Sequence, residues 1–364
     1  MSYKIGCFII VCVFFLNACL QNRKNDVMKY VNQSFDVQEY IDTTSLQYVV
    51  LESGADCMIN RVQQLLVTDS CIFIVNNEPN ILYMFTYEGK FLRPIGTQGR
   101  GEGEYLKIKN IDVDESKKEI TLYDSRLCKA MIYDYSGKFL RSCGNDKHVI
   151  GEIAYLTDSL YVLQNYYNEI DISDNPKILI IDREGKIVNT FIPLPQDINK
   201  ISEVPKSDGF FAKNKDGIYY ILYGDDEIYK ISRNGHKNVS ILSLGIKEYM
   251  MPININWEEF MKQSDKFGPL SNLCITDQNV FSVATNFDKK MVQMIGNTTD
   301  NIKLIGTPFS NPDSFPGLIN PITTYRDYFV GLISAVKASR FKDKFPTLIE
   351  DDNPIVVFFK YKLP

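Results

Sequence analysis

The sequence predicts an all-β chain organised as a ring of repeated four-stranded sheets, and three observations carry that reading. The aromatic content leans toward strand formers, with 22 Tyr and 22 Phe against a single Trp in 364 residues. A hairpin motif recurs as Tyr87-Glu88-Gly89-Lys90-Phe91-Leu92, Tyr135-Ser136-Gly137-Lys138-Phe139-Leu140 and Arg183-Glu184-Gly185-Lys186-Ile187-Val188, with a weaker fourth copy at Arg233-Asn234-Gly235. The steps between these glycines are 48, 48 and 50 residues. Four short strands fit around each copy, and four strands in about 48 residues is the size of a β-propeller blade.

In chain order, the first element is an address. Lys4 precedes an apolar run from Ile5 to Leu16, too short to span a bilayer but suited to the core of a signal peptide. The run ends in Leu16-Asn17-Ala18-Cys19, which resembles a bacterial lipobox. That resemblance implies removal of residues 1–18, acylation of Cys19 and a stable lipid anchor in a membrane. Leu20 rather than Asp follows the Cys, which resembles an outer-membrane sorting signal, with the protein on the periplasmic or cell-surface side. Residues 19–40 are then the lipidated Cys and a polar tether, and 41–364 the propeller.

Six second strands are expected near Ile72–Val75, Ile120–Tyr123, Leu160–Leu163, Ile218–Leu222, Val280–Ala284 and Tyr328–Ile333. The last unit has a third strand, Ile355–Tyr361, but no fourth, whereas Leu46–Leu51 is an orphan strand ahead of the first unit. The economical solution is a six-bladed β-propeller in which the N-terminal strand completes the last blade and leaves no open edge. Gly in each hairpin supplies the positive φ of a tight turn.

The stretch from Ile111 to Leu140 resembles an NHL-type blade: an Ile-x-Val-Asp inner strand, a second strand ending in Asp124, then a strand-turn-strand with Gly137 in the turn. Together with Gly99-Arg100-Gly101-Glu102-Gly103-Glu104-Tyr105, it also resembles the six-bladed β-propeller lipoproteins of Bacteroides-type bacteria.

Sorting the connections by face gives an asymmetry. Links between strands one and two, and three and four, are tight turns. Those between strands two and three, and between blades, carry the insertions: Gly96–Leu106, Asn165–Pro176, Pro193–Ser207, Lys247–Pro269, Thr307–Pro316 and Lys337–Asn353. Long loops on a rigid scaffold are where binding usually resides. Candidate ligand contacts on that face are Arg100, Glu102, Tyr105, Asp124, Arg126, Tyr166, Tyr167, Asp225, Asp226 and Trp257. Trp257, beside the capping-box-like helix start Asn256-x-x-Glu259, is either a stacking platform or a staple holding that helix to the rim. Tyr166 and Tyr167 invite the same two readings, and Asp124 either meets a ligand or caps its own loop.

The chemistry searched for is mostly absent. Lys plus Arg is 40 against 45 Asp plus Glu, a formal charge of −5, so no broad basic field exists for a nucleic acid. His148 and His236 show no metal-like spacing, and no GxSxG nucleophile motif occurs. Asp112-Val113-Asp114 starts like a calcium loop, but Lys117 and Tyr123 occupy its required Gly and Glu positions. No cofactor is expected. Calcium held by Asp124, Asp225, Asp226 and Asn286 is the open alternative and would accompany a hydrolase- or lactonase-like enzyme. Cys128 and Cys143, on opposite arms of one hairpin, are the pair placed to bridge in an oxidising compartment, with buried free thiols the default. The leading expectation is a non-catalytic, membrane-anchored envelope protein binding a glycan, peptide or partner protein. A structural component of an envelope complex is the other rival.

Overall fold

The structure is a computed structural model and describes residues 34–143, 150–157, 159–165, 176–193, 211–221, 227–232, 239–243, 262, 270–285, 291–298, 301–311 and 313–363. Six antiparallel sheets follow one another along the chain. Blade 1 is Val62–Val67, Cys71–Asn76, Ile81–Thr86 and Phe91–Ile95. Blade 2 is Ile108–Asp114, Glu119–Asp124, Lys129–Asp134 and Phe139–Cys143. Blade 3 is Ile150–Thr157, Leu160–Asn165, Pro176–Asp182 and Ile187–Pro193. Blade 4 is Phe211–Asn214, Gly217–Ile221, Glu227–Ser232 and Val239–Ser243. Blade 5 is Ser271–Ile275, Asn279–Thr285, Met291–Asn297 and Asn301–Phe309. Blade 6 is Pro321–Tyr325, Tyr328–Ile333 and Ile355–Phe359, completed by Gln47–Val50.

The expected closure is therefore present, with Gln47 opposite Phe358 and Val50 opposite Ile355. Asn353, fully buried, fastens it. Its Oδ1 accepts from the Ile59 N–H at 2.7 Å, and its Nδ2 donates to the carbonyls of Glu52 and Cys57 at 2.7 and 2.9 Å. The chain contributes one thing more before that strand. Ser34–Asp36 pairs in parallel with Thr307–Phe309 as a fifth strand on blade 5. Val37 and Ile41 then bury fully in the cluster that holds Phe281 and Ile295 of blade 5 and Phe329 and Phe359 of blade 6. Residues 34–40, assigned to the tether from sequence, are thus built into the ring because Phe35 and Val37 find an apolar seam there.

The strands behave as fully covered sheet interiors do. Every residue of Cys71–Asn76, Gly217–Ile221 and Ile355–Phe359 is buried, which explains why they read as continuous runs rather than alternating ones. At about 25 cal/mol per Å² of apolar surface, side chains of this size contribute ~1.5–3 kcal/mol each. The innermost strands would be left with an unpaired edge facing the axis. Side chains from the preceding blade occupy it. The Gln64 amide receives the Ile111 N–H at 2.7 Å and donates to its carbonyl at 2.8 Å, and Asn110 does the same for Ile153 at 3.2 and 2.8 Å. Glu152 accepts from the Phe211 N–H at 2.8 Å, Asn214 donates to the Thr276 carbonyl at 3.3 Å, and Asn272 donates to the Pro321 carbonyl at 2.7 Å. An amide side chain that offers both a donor and an acceptor imitates one residue of a missing strand.

The recurrent hairpins have a double role. Gly89, Gly137 and Gly185 all have positive φ, at 89°, 85° and 81°. Thr86, Asp134 and Asp182, spaced by the same 48 residues, cap the turns: each accepts from the N–H of the Lys after the glycine, at 3.3, 3.0 and 2.8 Å. Each hairpin also touches the outer strand of the blade before it. A Cβ at Gly89 would overlap the Val50 carbonyl, whereas one at Gly137 would meet Pro94 at 3.7 Å. In blade 3 the contact is the Cys143 thiol donating to the Asp182 carbonyl at 3.7 Å. The repeat length is thus also the period of an inter-blade contact. Cys128 and Cys143 are free thiols, as are Cys57, Cys71 and Cys274; Ala130, not Cys128, stands opposite Cys143.

Candidate binding face

The tight-turn face and the axis are closed by paired charges. On that face Asp69 of blade 1 accepts from the Tyr325 hydroxyl at 2.6 Å and from Arg326 of blade 6 at 2.8 Å, which holds its carboxyl below the usual range. The Asp69 N–H in turn donates to Glu115 of blade 2 at 2.6 Å. Lys215 of blade 4 pairs with Asp277 of blade 5, Lys360 with Asp327 at 2.9 Å, and Lys117 with Asp114 at 3.6 Å. Deeper in, Lys213 of blade 4 forms an ion pair with the buried Asp112 of blade 2, reaching past blade 3. The Thr324 hydroxyl of blade 6 donates to the Lys213 carbonyl at 3.0 Å. Inner strands that are not ring neighbours are therefore bridged, which blocks the axis at this level.

The opposite face carries the longer connections. Among them, Gly96–Leu106 is a folded plug between blades 1 and 2. Thr97–Gln98 pairs in parallel with Glu104–Tyr105, and the Glu104 carboxylate accepts from the Gly101 N–H at 2.7 Å. Gly103, at φ 71°, lies against Phe139, and its carbonyl accepts from the Tyr133 hydroxyl at 2.8 Å. Tyr105 points inward: it is 1% exposed, packs with Met84, Ile95 and Tyr133, and burial pushes its phenol up to about 12. This candidate ligand contact is a core residue. Arg100 and Glu102 remain at the exposed tip.

Asp124 is fully buried, and its carboxylate receives four backbone N–H groups. Oδ1 accepts from Arg126 and Leu127 at 2.6 and 3.0 Å; Oδ2 accepts from Leu106 and from Lys107, the latter at 3.1 Å. It caps two connections at once. Asn76, at the equivalent end of strand two in blade 1, also caps: its Oδ1 accepts from the N–H groups of Asn60 and Arg61 at 3.0 and 3.1 Å, and its Nδ2 donates to the Pro79 carbonyl at 2.9 Å. Asn165 occupies the same position in blade 3 and is also buried. A carboxylate saturated by four donors is a poor calcium ligand, so Asp124 does not fit the calcium alternative. Among the described residues no group of three or more His, Cys, Asp or Glu could hold a metal ion.

Arg126 is exposed on the loop that Asp124 caps. The remaining candidates, Tyr166, Tyr167, Asp225, Asp226 and Trp257, lie outside the described residues, as do Cys19, Asn286, His148, His236 and the helix start expected at Asn256. Sequence reasoning missed Arg61 and Lys107. Each immediately precedes an inner strand and stands exposed at the mouth of the axis on this face. Their signal was available: aligning the first two units on their inner strands, rather than on the hairpin glycines, places Arg61 over Lys107 and Gln64 over Asn110 at one common spacing.

These features define a six-bladed β-propeller with one face carrying ion pairs between blades and the other carrying, among the described residues, polar loops capped at blades 1 and 2. Residues 26–360 match the family described as "Domain of unknown function (DUF4934)", and the chain belongs to that family. Among solved structures, it is similar to a candidate exported protein of Bacteroides fragilis NCTC 9343, with 17% identity and a TM-score of 0.72 over 91% of this chain and 98% of that one. It is also similar to a member of the DUF4221 family from Bacteroides vulgatus ATCC 8482, with 10% identity and a TM-score of 0.52 over 88% and 99%. No curated protein sequence matches it.

Proposed function

We propose that this protein is a non-catalytic envelope lipoprotein, held in the outer membrane by lipid on Cys19, whose long-loop face binds a soluble glycan, peptide or partner protein. One observation carries the reading. The tight-turn face engages its charges in blade-to-blade pairs such as Arg326–Asp69 and Lys215–Asp277, whereas the long-loop face mounts exposed polar side chains on loops stiffened by buried caps. Preorganised loops lose little entropy on binding, which favours recognition. The name of the Bacteroides fragilis relative, a candidate exported protein, accords with the address read from residues 1–19.

Two measurements test this. In the full chain, Cys19→Ala should move the protein from the membrane fraction to the soluble fraction; retention in the membrane would refute lipid anchoring. Binding to arrays of soluble glycans and peptides should be lost with Arg126→Glu and kept with Arg326→Glu. The reverse pattern would place function on the other face.

A further inference from the structure

Three exposed cations stand on linked connections of the long-loop face, Arg61 and Lys107 just ahead of the inner strands and Arg126 on the loop after the second strand of blade 2. Arg61 belongs to blade 1, and Lys107 and Arg126 to blade 2. One hydrogen-bond network joins their backbones. The Arg61 N–H donates to Asn76 Oδ1, and the Arg61 carbonyl accepts from the Asn77 N–H at 2.8 Å. The loop that follows reaches blade 2 through Asn80, whose Oδ1 accepts from the Ile108 N–H at 2.7 Å. Lys107 and Arg126 then share the Asp124 carboxylate through their N–H groups, and the Ser125 N–H donates to the Lys107 carbonyl at 3.1 Å. All three side chains are exposed, and among the described residues none has an ion-pair partner. The carboxylates nearby in the chain are Asp124, occupied by four N–H donors, Glu104, which accepts from the Gly101 N–H, and the exposed Asp56, Glu78 and Glu102.

Resting on the reading of this face as the binding face, we infer that the mouth between blades 1 and 2 is a site for a discrete anionic group, a carboxylate, sulfate or phosphate, carried on a soluble ligand. The chemistry follows from the donors. Two guanidinium forks present paired N–H groups matched to a two-oxygen anion, and an ammonium adds a point charge. Their loops are fixed by the fully buried Asn76 and Asp124, so the backbone that carries the cations is in place before the ligand arrives. The net charge of −5 argues against an extended anionic surface. Within about 8–10 Å the local cations dominate, but beyond that screening length a bilayer or long polyanion meets an acidic protein.

The test uses the full-length lipoprotein in a neutral detergent, titrated calorimetrically at low salt with oligogalacturonate, a sulfated oligosaccharide and inorganic phosphate, with anionic lipid vesicles as a separate arm. At least one soluble probe should bind, more weakly as salt is raised, and its affinity should fall at least ~tenfold in the Arg61→Ala/Lys107→Ala/Arg126→Ala variant. Arg326→Ala should leave it unchanged. The melting temperature of the triple variant, and the single reversal Arg126→Glu, separate lost binding from lost folding. Absence of binding by every soluble probe, binding unchanged in the triple variant, or binding to vesicles alone would overturn the inference. If a neutral glycan or peptide bound through this face while the anionic probes failed, the anion site would fall and the binding face would stand.

Discussion

Replacing Gly89 and Gly137 by Ala, one at a time, separates two roles that the repeat gives its hairpin glycine. Both have nearly the same φ, 89° and 85°, so both substitutions force a side chain into the left-handed region at ~1–2 kcal/mol. Loss of chain entropy in the unfolded state returns ~0.4–1 kcal/mol in each case. At Gly137 the nearest obstacle is 3.7 Å away, and Gly137→Ala should cost only that difference, ~1 kcal/mol. At Gly89 the new Cβ would overlap the Val50 carbonyl and lie 2.9 Å from the Val49 side chain, both in the strand that closes the ring. Movement there strains the Glu52 N–H to Gly89 carbonyl bond of 2.8 Å and the Phe91 N–H to Glu52 bond of 3.1 Å. Overpacking against backbone adds ~1–3 kcal/mol, so Gly89→Ala should lose ~2–4 kcal/mol in all. Urea unfolding of the full chain followed by circular dichroism gives both values. Equal losses in the two variants would refute the packing of the first hairpin against the closing strand.

Other consequences are as direct. Asp124→Ala would leave four buried N–H groups without an acceptor, each worth ~1–3 kcal/mol; a melting temperature close to that of the wild type would show that the cap is dispensable. Burial pushes the thiols of Cys57 and Cys71 up and that of Cys143 up to about 11, so a thiol reagent on the native protein at neutral pH should label Cys128, the half-buried one, first. Labelling of Cys143 at the same rate would contradict the packing of blades 2 and 3. The Arg141 guanidinium holds Glu119 through bonds of 2.9 and 2.7 Å, keeping its carboxyl below the usual range. Ser136 does the same for Asp134. Because the folded values lie below the unfolded ones, their stabilisation is complete only above the unfolded values, from about pH 5 upward, and is lost as pH falls through the lowered values. Unfolding midpoints from pH 6 down to pH 3 should show the loss, with a shallower dependence in Glu119→Gln; an unchanged dependence would remove this pair as a cause.

Much of the ring was legible because its signals are local. The second strands are unbroken apolar runs, the hairpins announce themselves by glycine, and an orphan strand at one end matched a missing strand at the other. The site was less legible, for a chemical reason. Asp124 and Asn76 carry the atoms that a ligand would use, and only the position of the surrounding N–H groups shows that backbone uses them instead. Tyr105 looked like an exposed aromatic in a polar loop, yet Gly96 and Gly103 let that loop turn it inward. Ser34–Asp36 is too short to announce a strand, and its pairing depends on an edge of blade 5 nearly the whole chain away. Arg61 and Lys107 became visible only when the inner strands were superposed.

The clasp at Asn353 has a consequence for how the protein is made. The Ile59–Asn353 bond spans 294 residues of chain, and the entropy of closing so long a loop must be overcome before any of its contacts form. The four strands of each of blades 1 to 5 follow one another in the chain, with Ser34–Asp36 added to blade 5 from afar, but blade 6 has no outer strand until residues near both ends of the ring have met. A chain synthesised from its N-terminus would therefore carry Gln47–Val50 as an unpaired strand until Ile355–Phe359 followed. During that interval the open edge of Gln47–Val50 is exposed to wrong pairing. Whatever assists the folding of this chain has to shield that strand first and release it last.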